Sequence, residues 1–366
     1  MTNKIGMYTM YSMDNFNFMI TDDGSVGLYD NITKDIFHSV TGAWRESCDK
    51  FIYPTGFIEF CKHNSKINIL DICFGIGYNF KSALFFALKN SKNINIKITS
   101  LEISKEVAFL SPFIKDSVPT PDINIYLLSY FLSNEPNYLD FIGSYIKLNA
   151  DIVDNYFSDD IMRLFAQYSQ LDMSNYPQND LYAFLHNIYY QNISNSMESV
   201  LKPSKCKNVS FDLIFDDARQ SVQTLKSMYD FVFLDAFTPH KQPLLWTYDF
   251  LSVVKSIMSN KSILSTYSNS TPVRKTLLDL GFYVGKIILD NSQFGTIASF
   301  DNNKIISELT EYDYGLMYTK AGIPYRDNNF QLTSSQILIN RENELKNCDI
   351  MSASEYKRKF KNDINI

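Results

Sequence analysis

The 366-residue sequence has no apolar run approaching the ~18 residues that a membrane-spanning helix needs. Its start, Met1-Thr2-Asn3-Lys4-Ile5, lacks the long apolar core of a secretion signal. There is no C-x-x-C pair either. The five cysteines (Cys48, Cys61, Cys73, Cys206 and Cys348) are odd in number and scattered, which points to a reduced, cytoplasmic protein without structural zinc or any other bound metal. An excess of basic residues is also missing. The net charge of −6 argues against binding nucleic acid through the whole surface, although it leaves room for a local basic patch. Positive charge gathers only at Lys202, Lys205 and Lys207 and at Lys357-Arg358-Lys359 with Lys361, short clusters of the kind that usually coat a solvated end.

What the chain does have is apolar and aromatic residues in quantity, with 28 Phe and 24 Tyr, enough for a substantial core. The stretch 69–80, Ile-Leu-Asp-Ile-Cys-Phe-Gly-Ile-Gly-Tyr-Asn-Phe, organises the reading. An apolar strand runs directly into Gly75-Ile76-Gly77, and a helical pattern follows at once. Glycines at such a corner let backbone pass close to a bound nucleotide, with a helix N-terminus aimed at it. The pattern is G-x-G-x-N, with no third glycine downstream. It therefore suits a nucleoside without a pyrophosphate, such as S-adenosylmethionine, better than a dinucleotide.

From residue 66 strands alternate with helices, which predicts βαβ units on a mostly parallel sheet. Strands are expected over 67–72, 94–101, 211–215, 231–234 and 263–267. Helices are expected over 79–89, 221–228, 247–258 and 271–280. The last two strands, 282–289 and 294–300, lie too close together for a helical crossover and must be antiparallel. The fold class expected is α/β, a Rossmann-like class I methyltransferase with a mostly parallel seven-stranded sheet. Residues 105–208 interrupt the rhythm with an aromatic, proline-punctuated stretch, read as a helical insertion. The domain division is then 1–65 as an N-terminal hairpin and substrate-side segment, 66–306 as the methyltransferase domain, and 307–366 as a C-terminal extension. Within the first, 21–28 reads as a D-G hairpin, and Ser39 or Thr41 as the cap of a helix that carries Glu46.

Acids and glycines recur at successive strand ends. Gly75, Gly77 and Asn79 follow the first strand of the sheet, Glu102 the second, Asp216 and Asp217 the third, and Asp235 the fourth. Together they describe an adenosyl pocket: glycines beneath the methionine part, Glu102 on the ribose, Asp217 on the adenine amine, Asp235 facing the reacting centre. After Asp235 comes a loop with two prolines and a tryptophan, Ala236-Phe237-Thr238-Pro239-His240-Lys241-Gln242-Pro243-Leu244-Leu245-Trp246, at the carboxyl edge where open sheets keep their chemistry.

On these residues the chain resembles the methyltransferase component of the MnmC-type tRNA-modifying enzymes, in a stand-alone form. The resembling segments are Asp23-Gly24-Ser25, His38-Ser39 through Gly42-Ala43 and Glu46-Ser47, the glycine turn, Asp212 to Arg219, Phe233 to Trp246, Tyr267 with Val273-Arg274, and Ala321-Gly322-Ile323-Pro324-Tyr325-Arg326. The Leu-Asp-Ala-Phe-x-Pro-x-x-x-Pro-x-x-Trp run is the most specific of them. Ala236 stands where the family usually has glycine, and Asp216 where its loop usually reads Gly-Asp. The resemblance implies methyl transfer from S-adenosylmethionine to the aminomethyl nitrogen of a tRNA wobble uridine, giving 5-methylaminomethyl-2-thiouridine. Asp235 would be the catalytic base. His38, Ser39, Phe237, Pro239, Lys241, Trp246 and Arg274 would meet the anticodon region, with Phe237 stacking the base, Trp246 either stacking it or packed within the loop, and Lys241, Arg274 and Arg326 either on phosphates or simply solvated at the surface. No second glycine fingerprint follows residue 300, so neither flavin nor oxidase activity is expected, and a separate oxidase or upstream tRNA-modifying enzyme would act as a partner. The alternatives are a polyamine aminopropyltransferase using decarboxylated S-adenosylmethionine, and a non-catalytic module that only binds the cofactor.

Overall fold

The turn Asp23-Gly24 closes a hairpin of Phe16–Ile20 (β1) and Val26–Asp30 (β2), to which the short Asp35–Ile36 (β3) adds a third antiparallel strand. The computed structural model describes residues 15–364 apart from 38–39, 92, 172–179, 194–198 and 290–291. Polar side chains at the turn have a second task. Ser25 Oγ accepts from the Ala43 N–H at 2.9 Å, and Asp23 Oδ2 accepts from the Arg45 N–H at 2.9 Å. These bonds satisfy donors that the helix Ala43–Ser47 (α1) cannot satisfy internally. The cap thus comes from about twenty residues upstream, not from Thr41; Ser39 lies outside the described residues. Immediately after α1 the chain widens into a π-helical turn, Cys48–Ile52, and then enters Phe57–His63 (α2).

Period-two alternation gives the central strands two apolar faces. In Lys66–Ile72 (β4), Ile67 and Ile69 face one layer and Leu70 and Ile72 the other. The helix Tyr78–Asn90 (α3) then leads into Asn95–Glu102 (β5). Among the described residues seven α-helices come next: Lys105–Leu110, Asp122–Asn134, Tyr138–Leu148, Ala150–Tyr156, Asp159–Ser169, Leu181–Ile188 and Pro203–Cys206 (α4 to α10). They are the expected helical insertion, and their aromatic side chains join one continuous core with α3 and the sheet. Asp122 is fully buried at their centre, accepting from Tyr190 Oη at 2.7 Å, Ser199 Oγ at 2.9 Å and the Leu201 N–H at 2.7 Å. A buried carboxylate needs such partners to be tolerated.

The doubly wound pattern resumes with Val209–Phe215 (β6), Ala218–Thr224 (α11), Tyr229–Leu234 (β7), Tyr248–Ser256 (α12), Met258–Thr266 (β8), Thr271–Asp279 (α13), Tyr283–Leu289 (β9) and Ser292–Ser299 (β10). The sheet order is β6-β5-β4-β7-β8-β10-β9, and β10 alone runs against the rest. The order reverses between β4 and β7, which is the switch point where such sheets bind ligands. Most strand ends fall within two residues of expectation. The helix expected over 221–228 begins earlier instead, because Asp217 accepts from the Arg219 N–H at 2.9 Å and starts α11 at Ala218.

The C-terminal part, with Glu311–Met317, Ser334–Asn347 and Ala353–Ile364 (α14 to α16), braces the loop after β7. The Tyr248 N–H donates to Tyr325 O at 2.9 Å, and Ser334 Oγ donates to Gln242 Oε1 at 2.6 Å. Arg219 binds Asp217 at 2.6 Å and the fully buried Asp327 at 2.8 Å, tying α11 to the same segment. No helix among the described residues is long and apolar enough to cross a membrane. Losing the cap on α1 should be visible in stability: Ser25→Ala is expected to lower the unfolding free energy by about 1 kcal/mol, measured by urea denaturation.

Candidate active site

Three residues in left-handed conformation alternate at the end of β4. Cys73, Gly75 and Gly77 have φ of 73°, 56° and 85°. A Cβ on Gly75 would lie 3.3 Å from the Phe37 ring, and one on Gly77 would lie 2.6 Å from Ser111 Oγ. Both backbones favour glycine; at Gly77 space requires it as well, while at Gly75 the Phe37 ring would have to give way by a few tenths of an ångström. The third glycine-like position lies upstream of the pair, and a cysteine occupies it at a conformational cost of roughly 1–2 kcal/mol.

The turn is locked to the neighbouring strand through Glu102. The Gly75 N–H donates to Glu102 Oε2 at 2.7 Å, while the Ile103 and Ser104 N–H groups donate to Oε1 at 2.8 and 2.9 Å. Burial raises the Glu102 pKa against the pull of these donors. A carboxylate has about four lone-pair sites, so three bonds leave Glu102 able to accept another hydrogen bond from a ligand. Beneath it Asp71 is fully buried; burial pushes its carboxyl up to about 7, against the hydrogen bond from Ser100 Oγ at 2.9 Å.

A cavity of about 340 Å³ opens between these strand ends, lined by the glycine turn, Glu102, Asp216, Asp235, Phe237 and Tyr267 among others. Its size falls within the range of small-molecule sites. Asp235 stands at the end of β7, its N–H bonded to Ile72 O at 3.2 Å. The Asn79 amide donates to Asp235 Oδ2 at 2.9 Å, and its oxygen accepts from Ser47 Oγ at 2.8 Å, which fixes the amide's orientation. Burial, and next the Glu46 carboxylate, push the Asp235 carboxyl up to about 7; the Asn79 bond and Lys50 oppose them. A carboxyl poised near neutrality in a cavity is suited to proton transfer.

The expected residues separate into two groups. Gly75, Glu102, Asp216, Asp235 and Phe237 meet around the cavity, and Asn79 reaches it through Asp235. Phe237 packs edge-to-face on Phe37 at 5.1 Å, closing one side. Asp217 also lines the cavity, but both its oxygens are engaged by Arg219. The exposed Asp216 is thus the freer acceptor for an adenine amine.

For Trp246, Arg274 and Lys241 the surroundings decide between the alternatives that the sequence left open. Trp246 is fully buried, and its indole N–H donates to Phe237 O at 2.8 Å, so it holds the loop and presents no face for a base. Arg274 is buried, with Nε bonded to Thr296 Oγ1 at 2.8 Å and a second nitrogen to Gly295 O at 3.0 Å. Burial lowers its pKa to about 10, against the Asp313 carboxylate, and it cannot reach a phosphate from there. Lys241 donates to Lys34 O at 2.6 Å and lies 3.6 Å from Asp35, joining the loop to β3. Pro239 is buried within the same loop. Arg326 is exposed, its guanidinium 4.1 Å over the Tyr248 ring. His38 and Ser39 lie outside the described residues.

Sequence reasoning assigned no role to Glu46, Lys50 or Tyr267. Glu46 and Tyr267 line the cavity; Lys50 pairs with Glu46 and sits 5.3 Å from the Tyr267 ring. The i,i+4 spacing of Glu46 and Lys50 was the available signal. Among the described residues no group of three His, Cys, Asp or Glu could hold a metal ion.

Comparison with known proteins bears on this arrangement. A family model described as S-adenosyl-L-methionine-dependent methyltransferase matches residues 179–289. With the sheet order, it makes the chain a Rossmann-like S-adenosylmethionine-dependent methyltransferase. The crystal structure of MNMC2 from Aquifex aeolicus is similar at a TM-score of 0.60 and 25% identity, over 91% of this chain and 86% of that one. An uncharacterized protein of Methanocaldococcus jannaschii is 26% identical over 327 residues, covering 88% of this chain and 70% of its own length. The tRNA 5-methylaminomethyl-2-thiouridine biosynthesis bifunctional protein MnmC of Campylobacter hominis is 29% identical over 116 residues, which is 32% of this chain and 17% of that protein. Within its class the chain is MnmC2-like.

The site fits the cofactor. The turn packs so closely at Gly77 that a Cβ would meet Ser111 and Phe74, Glu102 keeps capacity to accept a further hydrogen bond, and Asp216 adds a second carboxylate to the lining. Replacing the strained residue gives a direct check on the turn: Cys73→Gly is expected to raise stability by up to about 1 kcal/mol in thermal unfolding, the relief of strain exceeding glycine's extra chain entropy.

Proposed function

We propose that the protein methylates the aminomethyl nitrogen of the wobble uridine of tRNA, forming 5-methylaminomethyl-2-thiouridine. The observation that carries this reading is Asp235, a half-buried carboxylate held by Asn79 at the switch point and facing a cavity large enough for a nucleoside. The names of the MnmC relatives supply the acceptor, and the resemblance of the Phe233 to Trp246 run to that family supports carrying it over. Bound S-adenosylmethionine would supply a methyl carbon on a sulfonium, to which the acceptor nitrogen would bond as the carbon–sulfur bond breaks with its electrons staying on sulfur.

The chain's own residues do the rest. An alkylamine arrives as an ammonium and has no lone pair to attack with, so one proton must leave first. Asp235 takes that proton and passes it to solvent through the cavity mouth. Phe237 and Phe37 keep water from the reacting end, and Asn79 holds the carboxylate in line, so that most of the acceleration comes from placement. Phe237 offers an aromatic face to an extruded base, whereas Trp246 is buried. The anticodon region of tRNA is then the partner, and a separate oxidase or upstream tRNA-modifying enzyme would provide the aminomethyl group.

The deciding assay is transfer of labelled methyl into tRNA lacking the final methyl, with putrescine as a parallel acceptor. Label in the wobble uridine supports the reading; label only in putrescine, or none in tRNA while the cofactor binds, overturns it. Asp235→Asn should bind S-adenosylmethionine normally and lose about 100-fold or more in kcat. Because the base works only when ionised, kcat/KM of the wild type should rise with pH through a midpoint near the value of about 7 to which Asp235 is pushed.

A further inference from the structure

Two carboxylates, not one, face the reacting end of the cavity. Glu46 lines it from α1 while Asp235 lines it from β7. The position of Glu46 is built with care. The hairpin side chains of Asp23 and Ser25 cap its helix, the next residue, Ser47, bonds to Asn79, and a π-helical turn follows directly. Such turns are rare and concentrate at functional sites. Within that turn Lys50 pairs with Glu46, lies over the Tyr267 ring, and is fixed by Ser265 Oγ on its carbonyl at 2.5 Å. Tyr267 in turn donates to Ala236 O at 2.8 Å, beside Asp235.

The charge balance of this end is informative. The titratable groups that face Asp235 are Glu46 and Lys50 from α1 and its π turn, Asp71 and Cys73 from β4, and Tyr267 from the end of β8. Among the described residues of this set only Lys50 is a cation, and it already serves Glu46. With Asp235 ionised, the reacting end therefore carries net negative charge in a site with restricted water, where an added positive charge is strongly favoured. For pure placement of a neutral amine a second carboxylate would be a burden; for capture of an ammonium it is an asset.

We infer that Glu46 is the specificity residue for the acceptor: it recognises the incoming primary amine as its ammonium cation and hands it to Asp235. The inference rests on the tRNA methyltransferase reading above. It divides two jobs that a single carboxylate performs poorly together. A group that binds an ammonium tightly must stay ionised, whereas a group that accepts its proton must be near neutrality. Glu46, ion-paired with Lys50 on the cavity wall, supplies the binding contact, and the half-buried Asp235, facing it and held by Asn79, is the one set to accept a proton.

The test is a kinetic comparison of the wild type and Glu46→Gln on tRNA lacking the final methyl, with S-adenosylmethionine and S-adenosylhomocysteine affinities measured by calorimetry. The expected result is an acceptor KM raised about tenfold or more, as loss of a charge-assisted contact gives, with both cofactor affinities unchanged. Removing the Glu46 charge also takes away a repulsion that holds the Asp235 proton, so the acid limb of the pH profile should move to lower pH. A merely structural role would not move that limb. Should Glu46→Gln fail to fold with Lys50 uncompensated, the double variant Glu46→Gln/Lys50→Met removes both charges and should show the same rise in KM. An unchanged KM and acid limb in an active variant overturn the assignment to Glu46. A loss of S-adenosylmethionine affinity relative to S-adenosylhomocysteine also overturns it, by assigning the charge to the sulfonium. Absence of label from the wild type itself overturns the tRNA reading, and this inference with it.

Discussion

One side-chain amide joins the parts of this site. Asn79 stands in the first turn of α3, directly after the glycine turn, and is almost wholly buried. Its nitrogen donates to Asp235 on β7 and its oxygen accepts from Ser47 on α1. A buried amide left without partners would cost a few kcal/mol, and a reversed one would set oxygen against carboxylate. The two bonds therefore fix which way the amide points. In doing so they bring together three segments that are distant in sequence: the N-terminal helix, the cofactor turn and the carboxylate of the fourth sheet strand in chain order. The site exists only where all three meet.

This dependence explains why the outlying segments are attached as they are. The hairpin β1–β2 contributes little to the sheet, yet its turn caps α1 and so sets the position of Ser47 and Glu46. The C-terminal segment lies far from Asp235 in sequence, yet its Tyr325 and Ser334 hold the loop that carries Phe237. Buried Arg219 ties that segment back to α11. A ligand site on loops needs bracing of this kind, because loop backbone by itself is mobile.

The sheet was legible in the sequence for a simple reason. Its strands are short apolar runs that end on glycine or acid, and their period of two survives in Ile67, Ile69, Phe231 and Phe233 against Leu70, Ile72, Val232 and Leu234. Strand β1 was not legible, since its burial does not alternate, and helix α16 is largely polar. The site was legible to the extent that strand-end position defines it, which gives Gly75, Glu102, Asp216 and Asp235. It stayed open where orientation decides. A tryptophan in a proline-rich loop reads alike whether it faces solvent or core, and Trp246 faces the core. An arginine reads alike whether it meets phosphate or backbone carbonyls, and Arg274 meets the latter.

The glycine turn shows how a motif can be read from the wrong end. Counting forward from Gly75 and Gly77, a third glycine is missing. Counting backward, the residue two before Gly75 adopts the same left-handed conformation, and it is Cys73. The backbone rule is thus obeyed at three alternate positions while the residue rule is broken at one. A side chain at a position that disfavours it persists only when the surrounding structure holds it there. Here the Cys73 and Phe74 N–H groups both donate to Leu101 O at 3.0 Å, so the strain is set against two strand-end hydrogen bonds and the Gly75–Glu102 contact beyond them. The turn is over-determined by its neighbours, and that is what lets it depart from the glycine pattern while keeping the shape a nucleoside needs.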